Sequence, residues 1–110
     1  MEAAKPVEGD GVIAYLGLGS NMGDSLAHLE NGLVVVGMLP GTRVVNRSPL
    51  YVTKAWGKTN QPDFLNMVAE ISTELPPETL LSECKKIEQQ EGRTEGEHWG
   101  PRPLDIDILL

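Results

Sequence analysis

Residues 104–108 alternate strictly between apolar and acidic side chains: Leu104, Asp105, Ile106, Asp107, Ile108. A period of two is the mark of a β-strand with one buried face. The pattern turns Leu104, Ile106 and Ile108 towards a core. It sets Asp105 and Asp107 side by side on the other face, roughly 6.5–7 Å apart along the backbone. Two carboxylates on a rigid strand can hold a hard cation such as Mg²⁺, which takes oxygen ligands and is commonly bound by one or two carboxylates plus phosphates. The same pattern also describes a strand with a solvated acidic face, and the alternation does not choose between the two. Just upstream stand Trp99, Gly100, Pro101 and Arg102. The guanidinium of Arg102 is a forked donor suited to phosphate, and Pro101 and Pro103 stiffen the approach to the strand.

The rest of the chain supplies partners for this strand. Residues 1–11 are charged, Gly-rich and aperiodic, which predicts a flexible tail ahead of a single domain over residues 12–110. The apolar run at 12–18 (VIAYLGL) reads as a strand buried on both faces. Gly17 and Gly19 near its end suggest a close backbone approach or a bend. Residues 19–24 are turn chemistry, with Asp24 or Ser25 as helix N-cap. Leu26, Leu29, Leu33 and Val36 then recur at helical spacing. Gly32 and Gly37 weaken that helix by about 1 kcal/mol each relative to Ala, His28 falls on its solvated side, and Leu39-Pro40-Gly41 ends it. Residues 42–51 read as a second strand, with Pro49 marking an edge or an irregular end. Residues 52–62 read as a loop carrying Trp56.

Residues 63–73 (DFLNMVAEIST) alternate again, with Leu65, Met67, Ala69 and Ile71 on one face and Phe64, Asn66, Val68 and Glu70 on the other. Pro76-Pro77 opens a second helix with a stripe of Leu80, Leu81, Cys84 and Ile87, closed by Gly92. A polar loop at 93–99 leads to the final strand. The order is strand, helix, strand, strand, helix, strand. That is the α+β, ferredoxin-like βαββαβ arrangement: an antiparallel sheet with two helices on one face, the other face being left for loops and ligands.

Composition narrows the function. At 110 residues with a net charge of −7, the chain is long enough for one core and too acidic for nonspecific nucleic-acid binding. No apolar run reaches membrane-spanning length. The single cysteine, Cys84, fits a reducing cytoplasm and a place in the core better than a nucleophile's role. Gly17, Gly19 and Gly23 miss the dinucleotide-binding spacing by one residue, and Gly57-Lys58-Thr59 lacks the first glycine of a phosphate-binding loop, since position 52 is valine. His98, beside the arginine loop, can contact phosphate or solvent.

Five segments, taken together, resemble the hydroxymethyldihydropterin pyrophosphokinase family of folate biosynthesis. They are AYLGLGSNMGD (14–24), SPLYVT (48–53), QPDFLNMV (61–68), IEQQEGR (87–93) and WGPRPLDIDILL (99–110). They occur in the family's order and cover nearly everything from Val12 on. The resemblance implies an enzyme that moves pyrophosphate from ATP to the hydroxymethyl group of 6-hydroxymethyl-7,8-dihydropterin and releases AMP. It implies two Mg²⁺ ions on Asp105 and Asp107, and phosphate contacts from Arg93 and Arg102. On the nucleotide side it implies Lys85, Glu88, His98, Trp99, Arg102 and Ile108. On the pterin side it implies Thr53, Lys54, Ala55, Trp56, Phe64 and Asn66, where Phe64 can stack on a flat ring and Asn66 can read its edge. The implied partners are small molecules only, with no nucleic acid and no membrane, and the expected state is a monomer or weak dimer.

The chain departs from the family's pattern at several positions. Many relatives carry proline near Ala55. Glu95, Gly96, Glu97 and His98 stand where relatives often have further arginines, and Lys85 stands where some have glutamine. Relatives also continue past the DIDILL strand. The alternative reading is therefore a truncated, pterin-binding but catalytically impaired fragment of the same family.

Overall fold

The computed structural model describes residues 11–54, 61–92 and 103–109. Strand β1 (Val12–Ser20) is followed by helix α1 (Ser25–Gly37), strands β2 (Thr42–Arg47), β3 (Tyr51–Thr53) and β4 (Phe64–Thr73), helix α2 (Pro77–Gln90) and strand β5 (Asp105–Leu109). The sheet order is β2-β4-β1-β5, with β3 also paired to β4. All pairings are antiparallel. Because β4 lies between β1 and β2, the crossover through α1 is the split βαβ connection expected of a ferredoxin-like α+β fold.

The strand expected over residues 42–51 is broken in two. Pro49 cannot donate to a ladder. Ser48 takes over locally: its N–H donates to Val68 O at 2.8 Å and its Oγ accepts from Val68 N–H at 2.9 Å. The chain then rejoins β4 as β3, with Tyr51 opposite Asn66 and Thr53 opposite Phe64.

Both helices cover one face. Leu29, Leu33 and Val36 from α1, and Leu80, Cys84 and Ile87 from α2, pack into one cluster with Leu16, Leu18, Met67, Ala69, Ile71, Leu104 and Ile106 from the strands and the approach to β5. No described helix covers the opposite face, which corrects the reading of β1 as buried on both sides. Ile13 and Tyr15, whose side chains alternate with Ala14 and Leu16, are exposed, as is Val12 at the strand's start.

Two helical stripes are also redrawn. Leu26, in the first turn of α1, is exposed, and Gly32 is buried in the stripe. A Cβ on Gly32 would meet Leu104 Cδ2 at 2.7 Å, so this glycine makes room on the helix for the Leu104 side chain, just ahead of β5. On α2, Leu81 is exposed and Glu88 is among the buried residues. Helix ends follow the sequence: Asp24 Oδ1 caps α1 by accepting from Ala27 N–H, Pro77 begins α2, and Gly92 adopts a φ of 104° after it. His28 is not on a solvated side. Its Nδ1 lies 2.7 Å from Glu91 Oε1, tying α1 to the end of α2. No helix among the described residues is long and apolar enough to cross a membrane.

Candidate functional site

The uncovered face carries a cleft of about 430 Å³. Its geometry follows from strand pairing. Gly19 is opposite Asp105 on one side and Asn66 on the other, and Gly17 is opposite Asp107 and Val68. All of these positions point to the same face, since directly paired residues of adjacent strands share a side. The two glycines of β1 therefore form a floor with no side chains. Asp105, Asp107 and Leu109 of β5 make one wall, and Phe64, Asn66 and Val68 of β4 make the other. Neighbouring strands lie about 4.8 Å apart, so the acidic wall and the Asn66 wall stand roughly 9–10 Å apart at the backbone. Tyr51 and Thr53 of β3, which pairs with β4, and Lys54 after them also line the cleft.

Asp105 and Asp107 share a side, as alternation requires. Ile106 between them is buried in the core, while Asp105 is half-buried and Asp107 exposed. Among the described residues no three His, Cys, Asp or Glu side chains gather into a metal site. A pair of carboxylates at the mouth of an open cleft nevertheless fits a cation of the Mg²⁺ type, whose remaining positions are filled by water and by substrate phosphate oxygens.

The Asn66 amide is oriented by its own surroundings. Its Nδ2 donates to Thr53 Oγ1 at 2.9 Å, to Tyr51 O at 3.3 Å and to Phe64 O at 3.3 Å. Its Oδ1 lies over the glycine floor, 2.8 Å from where a Cβ on Gly19 would be. Thr53, Lys54, Phe64, Asn66, Asp105 and Asp107 are thus brought to one cleft. Lys85 is exposed on α2, Glu88 is buried against β5 and Ile108 is half-buried on the far side of the strand from the aspartates; none of these three lines the cleft. Ala55, Trp56, Arg93, His98, Trp99 and Arg102 lie outside the described residues, as does most of the tail expected over residues 1–11.

Residues that the sequence reading did not single out also shape the site. Asn21, 3% exposed, donates from Nδ2 to Gln61 Oε1 and to Pro62 O, both at 3.1 Å, and so fixes the chain just ahead of Phe64. Its sequence signals are its place in a turn after a strand and in the family-like segment at 14–24. Tyr51, Val68 and Leu109 line the cleft because each shares strand parity with a residue that was identified. Cys84 takes no part. It is buried, and burial, with Glu88 and Glu83 adding to it, pushes its thiol up to about 11, so it stays protonated.

A family model described as 7,8-dihydro-6-hydroxymethylpterin-pyrophosphokinase (HPPK) matches residues 15–110. The chain is 50% identical over 96 residues to a 2-amino-4-hydroxy-6-hydroxymethyldihydropteridine pyrophosphokinase of Methylorubrum extorquens, covering 87% of this chain and 61% of the relative. Proteins of the same name from Haemophilus influenzae and Aquifex aeolicus are 42% and 45% identical, over 90% and 87% of this chain and 62% and 59% of their own lengths. The chain thus spans about three fifths of the length of these relatives. The matched span takes in every described strand and helix apart from the first residues of β1, and the chain belongs to the 7,8-dihydro-6-hydroxymethylpterin-pyrophosphokinase family.

Proposed function

We propose that this chain carries the pterin-binding and metal-binding core of a pyrophosphokinase. That enzyme transfers pyrophosphate from ATP to the hydroxymethyl oxygen of 6-hydroxymethyl-7,8-dihydropterin and releases AMP. The observation that carries the reading is the placement of Asp105 and Asp107 across a glycine floor from Phe64 and Asn66, in one cleft on the open face. A flat heterocycle fits between such walls. Phe64 offers its ring for stacking, and the oriented amide of Asn66 offers a fixed polar group to the ring edge. Thr53, Lys54, Ala55 and Trp56 complete the pterin side in this reading.

Release of AMP requires attack at the β-phosphorus. The hydroxymethyl oxygen loses its proton to solvent and forms the new P–O bond, the bond from that phosphorus to the α,β-bridging oxygen breaks, and AMP leaves with that oxygen. Such transfers depend mainly on alignment and charge neutralisation. Asp105 and Asp107 would hold Mg²⁺, with two ions as the family resemblance implies, at the phosphate end of the cleft. When bound there, the metal neutralises phosphate oxygens and orients them. Arg93 and Arg102 would contact the phosphates. The family resemblance alone assigns Lys85, Glu88, His98, Trp99 and Ile108 to the nucleotide side, since the described ones among them, Lys85, Glu88 and Ile108, do not line the cleft. A cytoplasmic, monomeric or weakly dimeric protein acting on small molecules completes the proposal.

The test is AMP formation from ATP and the pterin alcohol, with Asp105→Ala and Asp107→Ala as variants. Turnover is expected to fall by at least about a hundredfold in each, since the lost group touches the charge that the reaction moves. Undiminished turnover in either variant would remove that carboxylate from the mechanism. A second reading is pterin binding without productive use of ATP, favoured by Glu95, Gly96, Glu97 and His98 standing where relatives often have further arginines. Calorimetry separates the two. Binding of both the pterin and a magnesium-bound ATP analogue supports the first, and binding of the pterin alone supports the second.

A further inference from the structure

We propose that Glu88 is a positioning residue that sets the strand bearing Asp105 and Asp107. The proposal rests on the reading of those two carboxylates as a cation-binding pair. Glu88 sits on α2 and is 5% exposed. Its Oε2 accepts a hydrogen bond from Ile106 N–H at 2.7 Å, and Ile106 is the residue between the two aspartates. β5 ends the sheet order and pairs with β1. The Ile106 amide, bonded to a helix side chain, is therefore directed away from β1, at the outer edge of the described strands.

An amide at such an edge normally meets water or nothing that fixes it. Here it meets a buried carboxylate, at a length typical of charge-assisted bonds. Holding the plane of the Asp105–Ile106 peptide restrains the torsions on both sides of it, and with them the direction of the Asp105 side chain and the pitch at which Asp107 follows. A second hold acts at the strand's root. Leu104 is fully buried and packs so closely on Gly32 that a Cβ there would lie 2.7 Å from its Cδ2. Burying a carboxylate carries a desolvation cost that an apolar side chain at the α2–β5 junction would avoid. What the carboxylate adds is the orientation of the peptide between two metal-facing residues. Groups that orient ligating side chains typically change metal affinity by about 10–100-fold when removed.

The experiment uses the full chain, Glu88→Ala and Glu88→Gln, with Mn²⁺ as probe and no nucleotide present. Three quantities are read: hydrogen exchange at the Ile106 amide by NMR, Mn²⁺ affinity by electron paramagnetic resonance, and the thermal midpoint. In Glu88→Ala the Ile106 amide is expected to exchange at least about tenfold faster and Mn²⁺ affinity to fall by about tenfold or more. Glu88→Gln keeps a carbonyl acceptor without the charge, and should recover most of that affinity. A folded Glu88→Ala that binds Mn²⁺ as the parent does would overturn the proposal alone. So would a Glu88→Gln that loses as much affinity as Glu88→Ala, because charge rather than position would then be the cause. A parent chain that binds no Mn²⁺ would overturn the carboxylate-pair reading and this proposal together. If Glu88→Ala does not fold, Glu88→Asp, one methylene too short to reach Ile106, takes its place under the same criteria.

Discussion

Gly19 and Asn66 face each other across the β1–β4 ladder so closely that a Cβ at position 19 would lie 2.8 Å from Asn66 Oδ1. It would also come within 3.4 Å of Phe64 Cδ1. The absent side chain is what lets both groups lean over the floor of the cleft. Gly19→Ala should therefore push the amide away from its Thr53 and Tyr51 partners and tilt the aromatic wall. Calorimetry with the pterin should show a loss of roughly tenfold in affinity, the scale of one misplaced hydrogen bond. The folded state should survive.

Asn21 acts on the same wall from outside the cleft. Its amide ties residues 61–62 to the end of β1, just ahead of Phe64. Asn21→Ala removes both hydrogen bonds from a buried position and should cost about 1–3 kcal/mol in denaturant unfolding. In the catalytic assay it should raise KM for the pterin more than it lowers kcat, because the phosphate end of the cleft is untouched.

By helix propensity alone Gly32 is a weak point of α1, where alanine would gain about 1 kcal/mol. The structure reverses the sign. Overpacking a filled core costs typically about 1–3 kcal/mol, and the Leu104 side chain that must yield is fully buried. Gly32→Ala should be net destabilising by on the order of 1 kcal/mol, as measured by urea unfolding. Leu104→Val should return part of that loss in the double variant, a coupling that independent sites would not show.

Cys84 gives a pH dependence with a definite sign. Its folded-state value of about 11 lies above the ordinary thiol value of about 8.5. Between these values the unfolded chain gives up the proton and the folded chain keeps it, so the unfolded state binds fewer protons and stability falls as pH rises. The contribution is at most about 1.4 kcal/mol per pH unit in that window. Cys84→Ala should flatten the stability curve between about pH 8.5 and 11. A thiol reagent at pH 8 should modify the parent chain only as fast as it opens.

The parts of this fold that could be read from the sequence are those where a residue's neighbours announce its face. The alternation from Phe64 to Ile71 and from Leu104 to Ile108 gave the correct sides in both strands. The run from Val12 to Leu18 carries no polar residue to mark parity, so its open face was invisible until the helices were seen to cover only the other side. The break between β2 and β3 was half legible, because Pro49 signalled an irregularity while the rescue by Ser48 depends on Val68, twenty residues away. The His28–Glu91 contact joins residues 63 positions apart, and no local periodicity carries such a pairing. Glu88 was harder still. A glutamate near the end of an amphipathic helix reads as solvated or ligand-facing, and only the packing of α2 on β5 turns it inward. In the cleft, the acidic pair, Phe64 and Asn66 were legible through alternation and family resemblance, whereas the Gly17–Gly19 floor required the strand register.

In the proposed function Asp105 and Asp107 bind a divalent cation at the cleft beside β5. This binding is tested most directly by the line broadening that Mn²⁺ causes in the NMR spectrum of the full chain. Broadening is expected to centre on Asp105, Asp107 and their cross-strand partners Gly19 and Gly17, and to be lost in Asp105→Asn and Asp107→Asn. Broadening centred elsewhere, or unchanged in both variants, would contradict that reading.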